Sequence, residues 1–179
     1  MLTITIPAGE NFDDSTQSFS EYEEVVLELE HSLVSLQKWE SKWEKPFLGE
    51  DKKSDEEILD YVYMMVLTPH ISLEDLTGLS AENSHDISNY IDAKMTATTF
   101  SDPPGRPNRE IITAEIIYHW MVALTIPFET QHWHLNQLLT LVKVCSKKNE
   151  PEKKMGRSDV AARNRALNEE RKAKYGTSG

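Results

Sequence analysis

Cysteine is almost absent from this chain. Its one cysteine, Cys145, excludes an internal disulfide framework and any multi-cysteine zinc site. No hydrophobic run approaches 18 residues, which predicts no membrane span. Seven glycines and eight prolines in 179 residues exclude a low-complexity or collagen-like chain. There is no glycine-rich phosphate loop, no nucleophile elbow and no zinc-protease helix motif. The opening MLTITIPAGENF lacks a basic stretch followed by a long apolar one, so no signal peptide is expected. These absences together predict a soluble protein made for a reducing cytoplasm.

Positive charge is also scarce. Nineteen Lys and Arg face 30 Asp and Glu, and the net charge of −11 argues against a general nucleic-acid binder. The average conceals a gradient: residues 1–60 carry 16 acidic and 5 basic side chains, residues 61–142 carry 9 and 3, and residues 143–179 carry 5 and 11. An acidic body with a basic tail predicts either a solvated terminal helix or an electrostatic contact made by that tail.

What is present begins with alternation. Leu2, Ile4 and Ile6 alternate with Thr3 and Thr5, and Pro7 ends the run. Turn chemistry between Phe12 and Phe19 predicts a small hairpin. Val25, Leu27 and Leu29 then fall on one face, with Glu24, Glu28 and Glu30 on the other, as in a strand with one wet face antiparallel to residues 2–6. Near His31 the period changes from 2 to about 3.6.

Ser32 is placed to cap a helix with Leu33, Leu36, Trp39 and Trp43 on one stripe, stopped by Pro46. Ser54-Asp-Glu-Glu57 reads as a capping box opening a helix with Ile58, Tyr61, Val62, Met65 and Val66. A short helical turn at 72–76 and a helix begun by Ser80 or Ser84, carrying Ile87, Tyr90 and Ile91, follow. Residues 95–109, with three prolines and one glycine, read as an irregular loop, either simply exposed or in contact with a partner. Residues 111–125 are apolar almost all round and predict the most buried helix, broken by Pro127. A further helix is expected over 129–147, with Leu135, Leu138, Val142 and Cys145 on its apolar stripe.

The fold class expected is therefore α+β, mainly α: a small N-terminal antiparallel β element packed on a helical body, with a basic C-terminal helix. The division expected is one domain over 1–148 (β element 1–30, helical body 31–148), a linker at 149–156 and the basic helix and tail at 157–179.

Side chains with chemistry to offer are few. His132 and His134, two apart on a continuous helix, point about 200° apart and cannot chelate one ion. His119 with one of them and Glu129 would be the alternative, but each His is more simply a partly buried polar residue. Cys145 on an apolar stripe reads as a buried, inert thiol. The carboxylates of 10–60 follow solvated-face spacing, with no pair framed to act as acid and base. No catalytic, cofactor-binding or metal-binding residue is assigned, and an enzyme is not expected. Trp39 and Trp43, four apart, are either core residues or the wall of a partner groove. Arg157, Arg163, Arg165, Arg171 and Lys172 of the tail are the other candidates for partner binding.

Five segments carry a resemblance: HSLVSLQKWESKWEKPFL (31–48), MTATTF (95–100), EIIYHWM (115–121), WHLNQLLTL (133–141) and AARNRALN (161–168). Together they resemble the tail assembly chaperones encoded in the structural gene block of tailed bacteriophages, over nearly the whole chain. The resemblance implies a non-enzymatic assembly factor in the host bacterial cytoplasm. Its implied partners are the tape-measure protein and the tail-tube protein, with no nucleic acid, no membrane and a possible homo-oligomer. The alternative is a virion structural protein of the neck, tail or capsid.

Overall fold

A computed structural model describes residues 1–13, 18–100, 111–149 and 157–176, with the backbone alone at 10–13, 18–22 and 157–160. Among these residues the chain is mainly α with a small antiparallel β element at its N-terminus, the class its periodicity predicts.

Strand β1 (Leu2–Ile6) pairs antiparallel with β4 (Val25–Leu29), Ile4 opposite Leu27. Between them β2 (Gly9–Asp13) pairs with β3 (Ser18–Tyr22), Phe12 opposite Phe19. The turn expected between these two strands lies, at 14–17, outside the described residues. The alternation works as read: Ile4, Ile6, Leu27 and Leu29 are buried while Thr3, Thr5, Val26 and Glu28 are exposed. The free edge of β4 is covered by the chain that leaves the second helix. Leu67 N–H donates to the Glu28 carbonyl and Glu30 N–H to that of Met65, each at 2.8 Å.

Helix α1 (Leu33–Trp43) starts at Ser32, whose hydroxyl accepts from the Ser35 N–H while the Ser35 hydroxyl accepts from the Ser32 N–H. Three residues separate its first turn from β4, so strand and helix are distinct elements. It ends at Trp43, with Glu44 in the left-handed region, before Pro46 is reached. Helix α2 (Asp55–Met65) opens with the expected box, Ser54 and Glu57 each bonding the other's backbone N–H. A 3-10 turn (Asp75–Gly78) leads to α3 (Ala81–Asp92), capped by Ser80.

Helix α4 (Ala114–Ala123) corrects one expectation. Only Ala114, Ile117 and Met121 are buried along it, while Ile111 before it and Val122 on it are 60% and 63% exposed. Helices α1 and α2 each bury five residues, more than α4, and it is α1 that reaches both cores. Its Leu33 and Leu36 join a cluster with Ile117, Met121, Leu135 and Leu138, and its Trp39 joins a second cluster with the sheet, α2 and α3. Glu115 and His119, four apart on α4, mark its exposed face, and Val122 falls on that face with them. α4 closes with a Schellman turn, Ile126 N–H to Met121 C=O and Thr125 N–H to Val122 C=O, so it stops before Pro127.

The helix expected over 129–147 is two elements. A 3-10 turn spans Phe128–His132, and α5 (Leu135–Asn149) begins after a break at Trp133 and His134. Asn149, expected in the linker, is the last residue of α5, and 150–156 lie outside the described residues. Of the expected loop 95–109, residues 95–100 are irregular and the rest lie outside the described residues. Helix α6 (Arg157–Tyr175) is the last of the described elements. The chain divides into two compact units, Met1–Ser146 and Lys147–Gly179.

Candidate functional site

The two tryptophans part company in the fold. Trp39 is 1% exposed, and its indole N–H donates to the Glu57 carbonyl at 2.8 Å. It has no face to offer a partner, so the core reading replaces the groove reading at this position. Trp43 is half-buried, and its indole N–H donates to the Asp60 carboxylate at 2.9 Å, to which Lys42 also pairs. On α6 the side chains of Arg163, Arg165, Arg171 and Lys172 are exposed, and Arg157 is the first residue of that helix.

The histidines considered for a metal are dispersed. His119 is exposed on α4, His132 meets Glu30 at the surface at 3.2 Å, and His134 is buried. Among the described residues no three of His, Cys, Asp and Glu are grouped to hold a metal ion. Cys145 is half-buried against the α4–α5 cluster.

A buried polar cluster escaped the sequence reading. His31, 2% exposed between β4 and α1, shares a hydrogen bond of 2.6 Å between its Nδ1 and the Tyr61 hydroxyl. Burial, with the neighbouring His134, pushes the His31 pKa down to about 4, so the ring is neutral near pH 7. His134 packs edge-on against it at 4.9 Å. Burial also lowers the His134 pKa, and its Nε2 donates to the Tyr90 carbonyl at 2.8 Å. Burial raises the Tyr61 hydroxyl well above its ordinary value, which keeps it a donor. The bonds of this cluster tie the β4–α1 junction to α2 and the break before α5 to α3. A histidine directly before a capping serine, between two apolar runs, was the only sign of it.

Tyr61 also lines an open groove of about 370 Å³ between α2 and α3. Ile58, Leu59 and Val62 form one wall and Ile87 and Ile91 the other, with Phe47 and Leu79 also lining it. Ile58, expected on the buried stripe of α2, is 51% exposed on this rim. The small Ser84 and Ser88 line the α3 side, and the Ser84 hydroxyl is turned back onto the Ser80 carbonyl at 3.0 Å. The groove therefore presents apolar surface with few polar groups aimed into it, which suits an apolar side chain better than a reacting substrate.

No protein-family model, curated protein or solved structure matches the chain. The groove and the charge distribution therefore carry the functional reading. Among the described residues no helix is long and apolar enough to cross a membrane.

Proposed function

We infer that this protein is a non-enzymatic tail assembly chaperone of a tailed bacteriophage. It acts in the host cytoplasm on the tape-measure protein, the tail-tube subunits or both. The observation that carries the reading is the open apolar groove between α2 and α3, rimmed by the half-exposed Ile58. A holding factor needs apolar surface for its client and strong charge elsewhere to stay dispersed, and the net charge of −11 supplies the second. The resemblance of the 31–48, 115–121 and 133–141 segments to phage tail chaperones supports the same reading. The basic α6 offers a separate, electrostatic contact through Arg163, Arg165, Arg171 and Lys172.

Co-expression with the tape-measure protein tests this, together with analysis of purified virions. The chaperone reading expects the tape-measure protein to stay soluble only with this protein present, Ile58→Ser to weaken that effect, and finished virions to lack it. Presence in virions at fixed stoichiometry makes it a structural protein of the neck, tail or capsid and rejects the reading.

A further inference from the structure

The groove has a charge as well as a shape. Asp55 lines it at the first turn of α2, and the exposed Glu56 stands beside it. At the far end of α3 the exposed Asp92 closes the helix, and Glu82 and Asp86 are exposed further round it. The one lysine in the lining, Lys53, has its ammonium over the Phe47 ring at 5.0 Å and near the Trp39 ring at 6.0 Å. That cation is directed at the protein's own aromatics. Glu57, the third acid of the first turn, is already matched by Lys45, which holds its carboxyl below the ordinary range. Lys53 keeps its charge there and offsets Asp55 in the lining itself, but on and beside α2 and α3 the carboxylates of Asp55, Glu56, Glu82, Asp86 and Asp92 outnumber the ammonium groups of Lys52, Lys53 and Lys94, so the balance around the groove is negative. Asp55, in the lining itself, is the carboxylate placed to act directly on a ligand seated in the groove.

The shape selects a helix. Ile58 and Val62 stand four apart on α2, Ile87 and Ile91 four apart on α3, and Ser84 and Ser88 four apart between. Such rows are the ridges and grooves by which helices pack, and small residues let a backbone come close. A third helix laid along the groove would cover Ile58 and Leu59 with residues at i, i+3 or i+4, and i+7.

We propose that the groove between α2 and α3 docks an amphipathic helix whose apolar stripe is flanked by lysine and arginine. This rests on the groove being the client site and adds the chemistry of the client. Apolar contact supplies the affinity, and Asp55 with Glu56 supplies orientation and discrimination against acidic segments.

Two synthetic 18-residue helical peptides with the same leucine stripe, one flanked by lysine and one by glutamate, test it against the full-length protein by fluorescence anisotropy. The lysine peptide should bind at least tenfold more tightly in low salt, and the gap should narrow at high salt. Asp55→Asn with Glu56→Gln should shrink the gap. Ile58→Ser should weaken the lysine peptide's binding without lowering the melting temperature, because Ile58 is half-exposed. Equal binding of both peptides, lost in Ile58→Ser, keeps the groove as a client site and overturns the charge assignment. Binding of either peptide unaffected by Ile58→Ser removes the groove from both proposals. A dimer in sedimentation that Ile58→Ser dissociates gives the groove to a second copy of the chain and overturns the proposal.

Discussion

The carboxylate of Glu40 accepts the backbone N–H of Ala114 at 2.7 Å, across 74 residues of sequence, while its other oxygen accepts the Phe47 N–H at 2.8 Å. Glu40 is buried on the last turns of α1, and Ala114 N–H is one of the donors that the first turn of α4 leaves unpaired. Thr113 precedes that helix without bonding it from its own side chain. The cap of α4 is thus borrowed from α1, and the same carboxylate closes the turn after α1.

Replacing Glu40 should therefore cost more than a surface charge would. Glu40→Leu leaves two N–H groups without a partner and should lower stability by about 2–4 kcal/mol. Glu40→Gln keeps one carbonyl acceptor and should fall between Leu and wild type. Urea denaturation orders the three proteins, and a Glu40→Leu loss below about 0.5 kcal/mol would show that water replaces the carboxylate.

Stability should fall with acid through His31. The unfolded chain takes up a proton at His31 as pH drops through 6.5, whereas the folded protein resists until about 4. Stability is complete above 6.5 and is lost progressively between 6.5 and 4, by on the order of 3 kcal/mol. His134, also lowered by burial, acts in the same direction. His31→Gln should flatten this pH dependence, measured as urea midpoints at pH 7.5 and 4.5. An unchanged slope would assign the acid sensitivity elsewhere.

Thr125 occupies the left-handed position of the Schellman turn, at φ 56°, where a β-branched residue is strained and glycine is not. Its side chain is exposed, so little contact is lost on removing it. Thr125→Gly should raise stability by roughly 0.5–1 kcal/mol, the relief of strain exceeding the added entropy of the unfolded chain. A destabilised variant would mean that the threonine makes a contact worth more than the strain.

Deleting residues 150–179 should leave the melting temperature of the remainder within about 2 °C, since residues 161–176 bury no side chain. The truncated protein should bind its client or partner subunit more weakly at low salt. At high salt, where the charges of Arg163, Arg165, Arg171 and Lys172 are screened, the two proteins should converge. Unfolding of the truncated body, or unchanged low-salt affinity, would make the tail structural.

The sequence by itself determined whatever depends on neighbours along the chain. Alternation at 2–6 and 25–29 placed the strands, because a pleated strand shows one face to each side. Ser32 and Ser54 marked two helix starts and left a third open between Ser80 and Ser84, because a capping hydroxyl reaches only two or three residues ahead. The tertiary structure decided what depends on which faces meet. Nothing local distinguishes Ile58, half-exposed on a groove, from Val62, buried beneath it. Over 111–125 only Glu115 and His119 interrupt the apolar run, which says little about depth, so the structure showed that α1, not α4, lies between the two cores. The Tyr61–His31 bond spans 30 residues and the Glu40–Ala114 bond 74. Bonds of that separation follow from packing, because burial first brings their groups together and then makes leaving them unpaired costly.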